Sequence, residues 1–236
     1  MGKRLIQQRR GKGSQRYISP SKKFIGRVKH PKETKEDKGV ITDIVNCSGH
    51  YAPILKVSYN GGEKCLMIAP QGVKVGEEVG IGKKAEIKPG NVLELKSIPE
   101  GTLIYNIESQ PGDGGKFCRT SGSFGRLISK SNKSVTIILP SKKERKFSTE
   151  CRANIGIVAG AGRKEKPFVK AGKMYFARRA RNKLYPSVSG NSMNAVDHPF
   201  GGSSSNRNKM PRQSSKHSPP GRKVGSISPK KTGRKR

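Results

Sequence analysis

His198 beside Asp197 is where acid–base chemistry could begin in this sequence, because histidine exchanges a proton near neutral pH and a carboxylate can orient it. Sequence neighbours rarely form such a pair, and no nucleophile motif accompanies these two. His198 is therefore expected to order its loop or to make a binding contact. A hydrolase using His198 stands as the catalytic alternative. Gly112-Asp113-Gly114-Gly115-Lys116 has the glycines of a phosphate-cradling loop but neither the P-loop spacing nor a βαβ setting, so a backbone turn is expected there. Cys47, Cys65, Cys118 and Cys151 form no short chelating pair; reduced free thiols are expected, with no metal and no cofactor.

The commonest chemistry in the chain is that of arginine and lysine. Fifty Lys and Arg face 16 Asp and Glu, a formal charge of +34 on 236 residues. Charge of one sign at that density opposes compaction unless a polyanion neutralises it, and nucleic acid is the commonest polyanion. Arginine adds a planar fork that takes two acceptors at once. No apolar run approaches the roughly 20 residues needed to span a bilayer, so no membrane partner is expected. The opening Met1-Gly2-Lys3-Arg4 is basic but leads into no apolar stretch, so a secretory signal is not expected, and the chain is placed in the cytoplasm.

The charge is unevenly spread. Residues 1–36 carry 12 basic and 2 acidic side chains, 37–100 carry 8 of each, 101–160 carry 10 and 4, and 161–236 carry 20 and 2. Both ends are rich in Gly, Ser or Pro and lack apolar periodicity, so alone they are expected to be disordered. Glycine interleaved with the cations, as in Arg9-Arg10-Gly11-Lys12-Gly13 and Gly221-Arg222-Lys223, lets backbone approach nucleic acid closely. Arg9, Arg10, Arg16, Arg222 and Lys223 are the candidate contacts there.

Between the ends the pattern is of short strands. Val40–Val45, Ile54–Tyr59 and Lys64–Ala69 are expected strands, the last two joined by a tight turn at Asn60-Gly61-Gly62. Further strands are expected at Val92–Lys96 and Thr102–Glu108, then Phe124–Ser129, Ser134–Leu139, Lys142–Phe147 and Ala153–Val158. Turns recur at the spacing of small barrels, giving two all-β units of modest size. One helix is expected, Ala171–Leu184, ended by Pro186. Its Arg178, Arg179 and Arg181 suit phosphate contact, with packing on the barrel as the structural alternative.

The most specific stretch is Asn194-Ala195-Val196-Asp197-His198-Pro199-Phe200-Gly201-Gly202. It resembles the signature loop of the universal large-subunit ribosomal protein two ("L two") family, in its archaeal and eukaryotic form. The resemblance extends over nearly the whole chain, through Ile68-Ala69-Pro70-Gln71-Gly72, Cys118-Arg119-Thr120-Ser121-Gly122 and Glu150-Cys151-Arg152-Ala153.

The resemblance implies a mainly β fold, an OB-fold barrel followed by an SH3-like barrel, with long basic N- and C-terminal extensions. The domain expectation is an N-terminal extension over 1–36, an OB-fold domain over 37–100, an SH3-like barrel over 101–170, and a C-terminal extension over 171–236 with its RNA-contacting loop at 190–202. It further implies a non-enzymatic constituent of the large ribosomal subunit that binds large-subunit rRNA and touches other ribosomal proteins. Contact with the small subunit across an intersubunit bridge, indirect contact with tRNA, and support of the peptidyl-transferase centre are implied as well. By position, Met193, Asn194, Asp197, His198, Arg119 and Arg152 are carried over as rRNA-binding residues. The chain departs from the family at Ser189, where an arginine is usual, and at Ser203-Ser204-Ser205, where glycines are common. A free RNA chaperone or chromatin protein would share the charge without needing the loop.

Overall fold

The computed structural model describes residues 2–18, 22, 24–31, 37–59, 64–82, 85–202 and 213–229. The turn at 60–62 and the Ser203–Ser205 departure lie outside them. Two compact units result: residues 21–169, and residues 1–20 together with 170–236.

Among the described residues the first unit contains ten strands, β1 (Asp37–Val45), β2 (Ile54–Tyr59), β3 (Lys64–Ile68), β4 (Glu78–Ile81), β5 (Val92–Glu94), β6 (Leu103–Tyr105), β7 (Gly125–Lys130), β8 (Ser134–Ile138), β9 (Glu144–Ser148) and β10 (Arg152–Ile155). They lie in one sheet in the order β3-β2-β1-β4-β5-β10-β6-β7-β8-β9. Neighbours are antiparallel except β4 and β5. The fold is mainly β, in two barrel-type halves that fit an OB-fold barrel followed by an SH3-like barrel.

β10 stitches the halves together. It pairs with β5 through Arg152–Glu94 and Asn154–Val92, and with β6 through Asn154–Tyr105. The two-residue period of a strand then sorts side chains between cores. Val92 joins the first core with Ile41, Leu55 and Met67, whereas its neighbour Leu93 joins the second with Ile104, Leu127 and Ile137. A third cluster of Val28, Cys47, Ile54, Ile68, Tyr105 and Val158 lies between strands of both halves. Each large aliphatic side chain so buried contributes roughly 1.5–3 kcal/mol.

Several features of the first unit depart from the sequence expectations, and β6 and β10 end earlier than the strands expected at Thr102–Glu108 and Ala153–Val158. β4 has no counterpart among the expected strands, because Glu78 and Gly80 break its apolar pattern. The strand expected at Val92–Lys96 stops at Glu94, and Leu95–Ser97 forms a 3-10 turn that buries Leu95. Residues 24–31, assigned to the basic extension, pack on the barrels as a strap. Val28 is 1% exposed, the Lys29 N–H donates to Leu66 O at 3.2 Å, and the His30 N–H donates to Gly114 O at 3.1 Å.

Among the described residues the second unit contains two helices, α1 (Ile6–Gly11) and α2 (Ala171–Arg179), and a short parallel pair, β11 (Gln213–Ser214) with β12 (Ser226–Ile227). α2 is shorter than expected: Asn182 takes a left-handed φ of 50°, which ends the helical path before Leu184. Described residues of the two ends meet within this unit. The Lys3 N–H donates to Val196 O at 2.7 Å, and the Asn182 side-chain amide donates to Gln15 O and Ile18 O, both at 2.7 Å.

Candidate nucleic-acid interface

The loop at 190–202 is built by backbone turns with one buttress. A 3-10 turn at Gly190–Ser192 leads into it, and Asn194 O accepts from the N–H groups of Asp197 at 3.0 Å and His198 at 3.2 Å. Gly202 N–H closes the loop on Met193 O at 3.2 Å. Glycine is required at Gly201 because a Cβ there would stand 2.2 Å from Asn194 O, a backbone atom that cannot yield. A Cβ at Gly190 would stand 2.4 Å from His198 Cε1, so the imidazole lies directly against that glycine.

The Asp197–His198 dyad does not form. Asp197 pairs with Lys3 at 2.9 Å. His198 Nδ1 accepts the Phe200 N–H at 3.0 Å, and the two rings meet edge to face at 5.1 Å between centroids. Burial lowers the histidine's pKa from its ordinary value. A neutral ring with Nδ1 engaged carries its proton on Nε2, which makes it a hydrogen-bond donor rather than a base. Asn194 is exposed, whereas Met193 is half-buried.

Of the other predicted residues, two reach this loop. Arg9 and Arg10 of α1 line an open cleft of about 620 Å³ with Met193, Asn194, Asp197 and His198, although more than 180 residues separate them in sequence. Arg16 and Arg179 share a second, smaller cleft. Arg178 is exposed and Arg181 half-buried. Arg222 and Lys223 are exposed in a turn whose N–H groups both reach Pro219 O, at 2.9 and 3.1 Å, while Val224 anchors it at 3% exposure. The unit made of both ends carries 23 Lys and Arg against one acidic residue, Asp197.

Arg119 and Arg152 turn inward instead. Arg152 is 7% exposed, and its Nε and Nη2 donate to Glu108 Oε1 at 3.2 and 2.9 Å. Its Nη1 donates to Pro31 O at 2.9 Å. Glu108 is wholly buried and accepts three backbone N–H groups as well, from Arg152 at 2.9 Å and from Gly112 and Gly114 at 3.2 Å. Burial pushes this carboxyl upward, but the hydrogen bonds from Arg152 and its guanidinium charge hold it below its usual range. Arg119 donates to Gly115 O at 2.7 Å and to Val28 O at 2.8 Å. Both arginines thus fasten the strap to the barrels.

The glycine-rich loop at 112–116 wraps Glu108 and belongs to this latch. His30, 3% exposed, completes it: Nε2 donates to Asn106 O at 2.7 Å, leaving buried Nδ1 without a partner. A second proton on that ring would have no acceptor, and burial above all pushes its pKa down to about 4. Sequence reasoning missed His30, Glu108 and Asn106. The signal available was the apolar Phe24, Ile25 and Val28 within an otherwise basic arm.

None of the four cysteines is in a disulfide, and Cys47 and Cys151 are buried. Burial pushes the Cys118 thiol up to about 12 and, foremost among its causes, the Cys151 thiol up to about 11, so neither is a ready nucleophile. Among the described residues no helix is long and apolar enough to cross a membrane.

With this geometry in place, comparison with known proteins is decisive. A family model described as Ribosomal Proteins L2, C-terminal domain, matches residues 88–221. The chain is 48% identical to the large ribosomal subunit protein uL2 of Methanothermobacter thermautotrophicus, over 100% of both chains. The chain belongs to the uL2 family. It is also 48% identical to uL2 of Methanocaldococcus jannaschii, over 99% of each chain, and 46% identical to uL2 of Haloquadratum walsbyi, over 99% of this chain and 97% of that one. Members of the uL2 family are structural components, so the chain is not an enzyme in its own right.

Proposed function

We propose that the chain is a structural constituent of the large ribosomal subunit in the cytoplasm, where the unit made of its two ends binds large-subunit rRNA. The observation that carries this reading is the charge of that unit: one carboxylate among 23 cationic side chains, and that carboxylate already paired with Lys3. Such a surface is stable only against a polyanion. Arg9, Arg10, Arg16, Arg178, Arg179, Arg181, Arg222 and Lys223 hold phosphates, and Asn194 and the Nε2–H of His198 offer directional bonds at the loop. Met193 lines the cleft beside them, and Asp197 orders the loop from the side of Lys3. Arg119 and Arg152 serve indirectly by holding the strap that leads into the N-terminal arm.

By the same reading, the loop supports assembly of the peptidyl-transferase centre and tRNA binding, and the protein contributes to subunit association across a bridge, beside other ribosomal proteins. Ser189 contributes no guanidinium, and Arg178 and Arg179 supply that charge from α2. The test is the salt dependence of binding of the full chain to large-subunit rRNA. The logarithm of affinity should fall linearly with the logarithm of salt, by about 0.7 to 0.9 for each phosphate neutralised. A flat response would end the reading.

A further inference from the structure

The smaller cleft of the unit made of both ends is lined by Arg16, Tyr175, Arg179, Asn182, Lys183 and Tyr185, with a volume of about 250 Å³. Three of these side chains are cations and two are phenols; among the described residues no carboxylate lines it. Arg16 is brought there by Asn182, whose amide clasps the arm carbonyls on either side of it, Gln15 O and Ile18 O. Tyr175 is oriented by an edge-to-face contact with Phe176, at 5.5 Å and 78°, yet remains 43% exposed. An exposed aromatic ring fixed among cations has two needs, a flat π surface and negative charge. A nucleotide supplies both, and only where its base is unstacked, because a duplex hides the faces of its bases.

We propose that this cleft takes a single unpaired nucleotide, with its base against Tyr175 and Tyr185 and its phosphates on Arg16, Arg179 and Lys183. The proposal rests on the rRNA-binding reading and adds to it a preference for single-stranded or bulged RNA at one defined place. An acidic protein surface would satisfy the cations and leave the phenol faces unused.

The chain contains no tryptophan, so Tyr175→Trp in the full chain places a sole indole reporter in the cleft. It is titrated with a single-stranded hexa-adenylate, a duplex of equal length, inorganic polyphosphate and poly-glutamate, while anisotropy of labelled RNA reports total binding. The single strand should quench the indole; the other three polyanions should not. In Tyr175→Leu, at salt high enough to suppress binding by the tails, affinity for the single strand should fall about 5- to 100-fold with an unchanged salt slope. Arg16→Gln should lower that slope by about 0.7. Equal quenching by polyphosphate or poly-glutamate overturns the proposal, as does unaltered affinity in Tyr175→Leu. A silent indole with full salt-dependent RNA binding removes this cleft alone, whereas loss of RNA binding in the unaltered chain removes the wider reading with it.

Discussion

Replacing Arg152 with leucine separates an internal arginine from an RNA-binding one. The substitution leaves Glu108, wholly buried, without its guanidinium partner, and leaves Pro31 O without a donor. Breaking a buried ion pair from one side costs about 3–5 kcal/mol, because the remaining charge stays desolvated. Three backbone N–H groups still reach the carboxylate, which places the expected cost nearer the lower figure. For a domain of this size each kcal/mol shifts Tm by about 2–4 °C, so the fall should be on the order of 6–12 °C. The assay is thermal unfolding of the full chain followed by circular dichroism, with Arg126→Leu, an exposed arginine of β7, as the comparison. Arg126→Leu should move stability by no more than about 0.5 kcal/mol. Well below its Tm, Arg152→Leu should keep the unaltered slope of RNA affinity against salt. A cost under about 1 kcal/mol, together with a slope reduced by one phosphate, would refute the inward assignment.

Four further outcomes follow from the same geometry. His30 is neutral in the folded protein with its pKa pushed down to about 4, against an ordinary value of 6.5, so its contribution is complete above about pH 6.5 and is lost as pH falls through that window. Urea unfolding across pH 4–7 should show this slope, and His30→Gln should flatten it; equal slopes would contradict the burial argument. Deleting residues 1–20 should leave the barrels folded, whereas deleting 1–31 removes Val28 and His30 from their packing and should lower Tm markedly, read by calorimetry. Gly201→Ala forces a Cβ onto Asn194 O and should cost about 1–3 kcal/mol of loop stability or more, detected as faster proteolysis near the loop. Arg9→Gln with Arg10→Gln should lower the salt slope by about 0.7 to 0.9 for each phosphate these arginines neutralise, with Tm unchanged.

What the sequence disclosed follows the range of the forces involved. Ile54–Tyr59 was legible as a strand because alternating burial writes a period of two into the residues, and β8 likewise. β4 was hidden by Gly80, which gives no apolar signal yet donates its N–H to Asn91 Oδ1 at 2.9 Å. The charge pattern disclosed which segments concentrate cations but not which arginines stay exposed. Arg152 and Arg178 look alike in sequence, and only the pairing of Arg152 with Glu108, 44 residues away, turns one of them inward. The strap was missed for the same reason: Val28 and His30 find their partners 19 to 130 residues later, and no local period announces them. The signature loop was legible in full as a motif. That its histidine sits against Gly190 and that its aspartate faces Lys3 are tertiary facts.

On the reading proposed above, the unit made of both ends anchors this uL2-family chain in the large ribosomal subunit. The most direct test of that anchoring is sedimentation of the tagged full chain with ribosomal subunits through a high-salt wash. One copy per large subunit, with a chain lacking residues 1–20 and 201–236 washed away, is the predicted result. Equal retention of that shortened chain, or partition of the full chain into free RNA or chromatin, would contradict it.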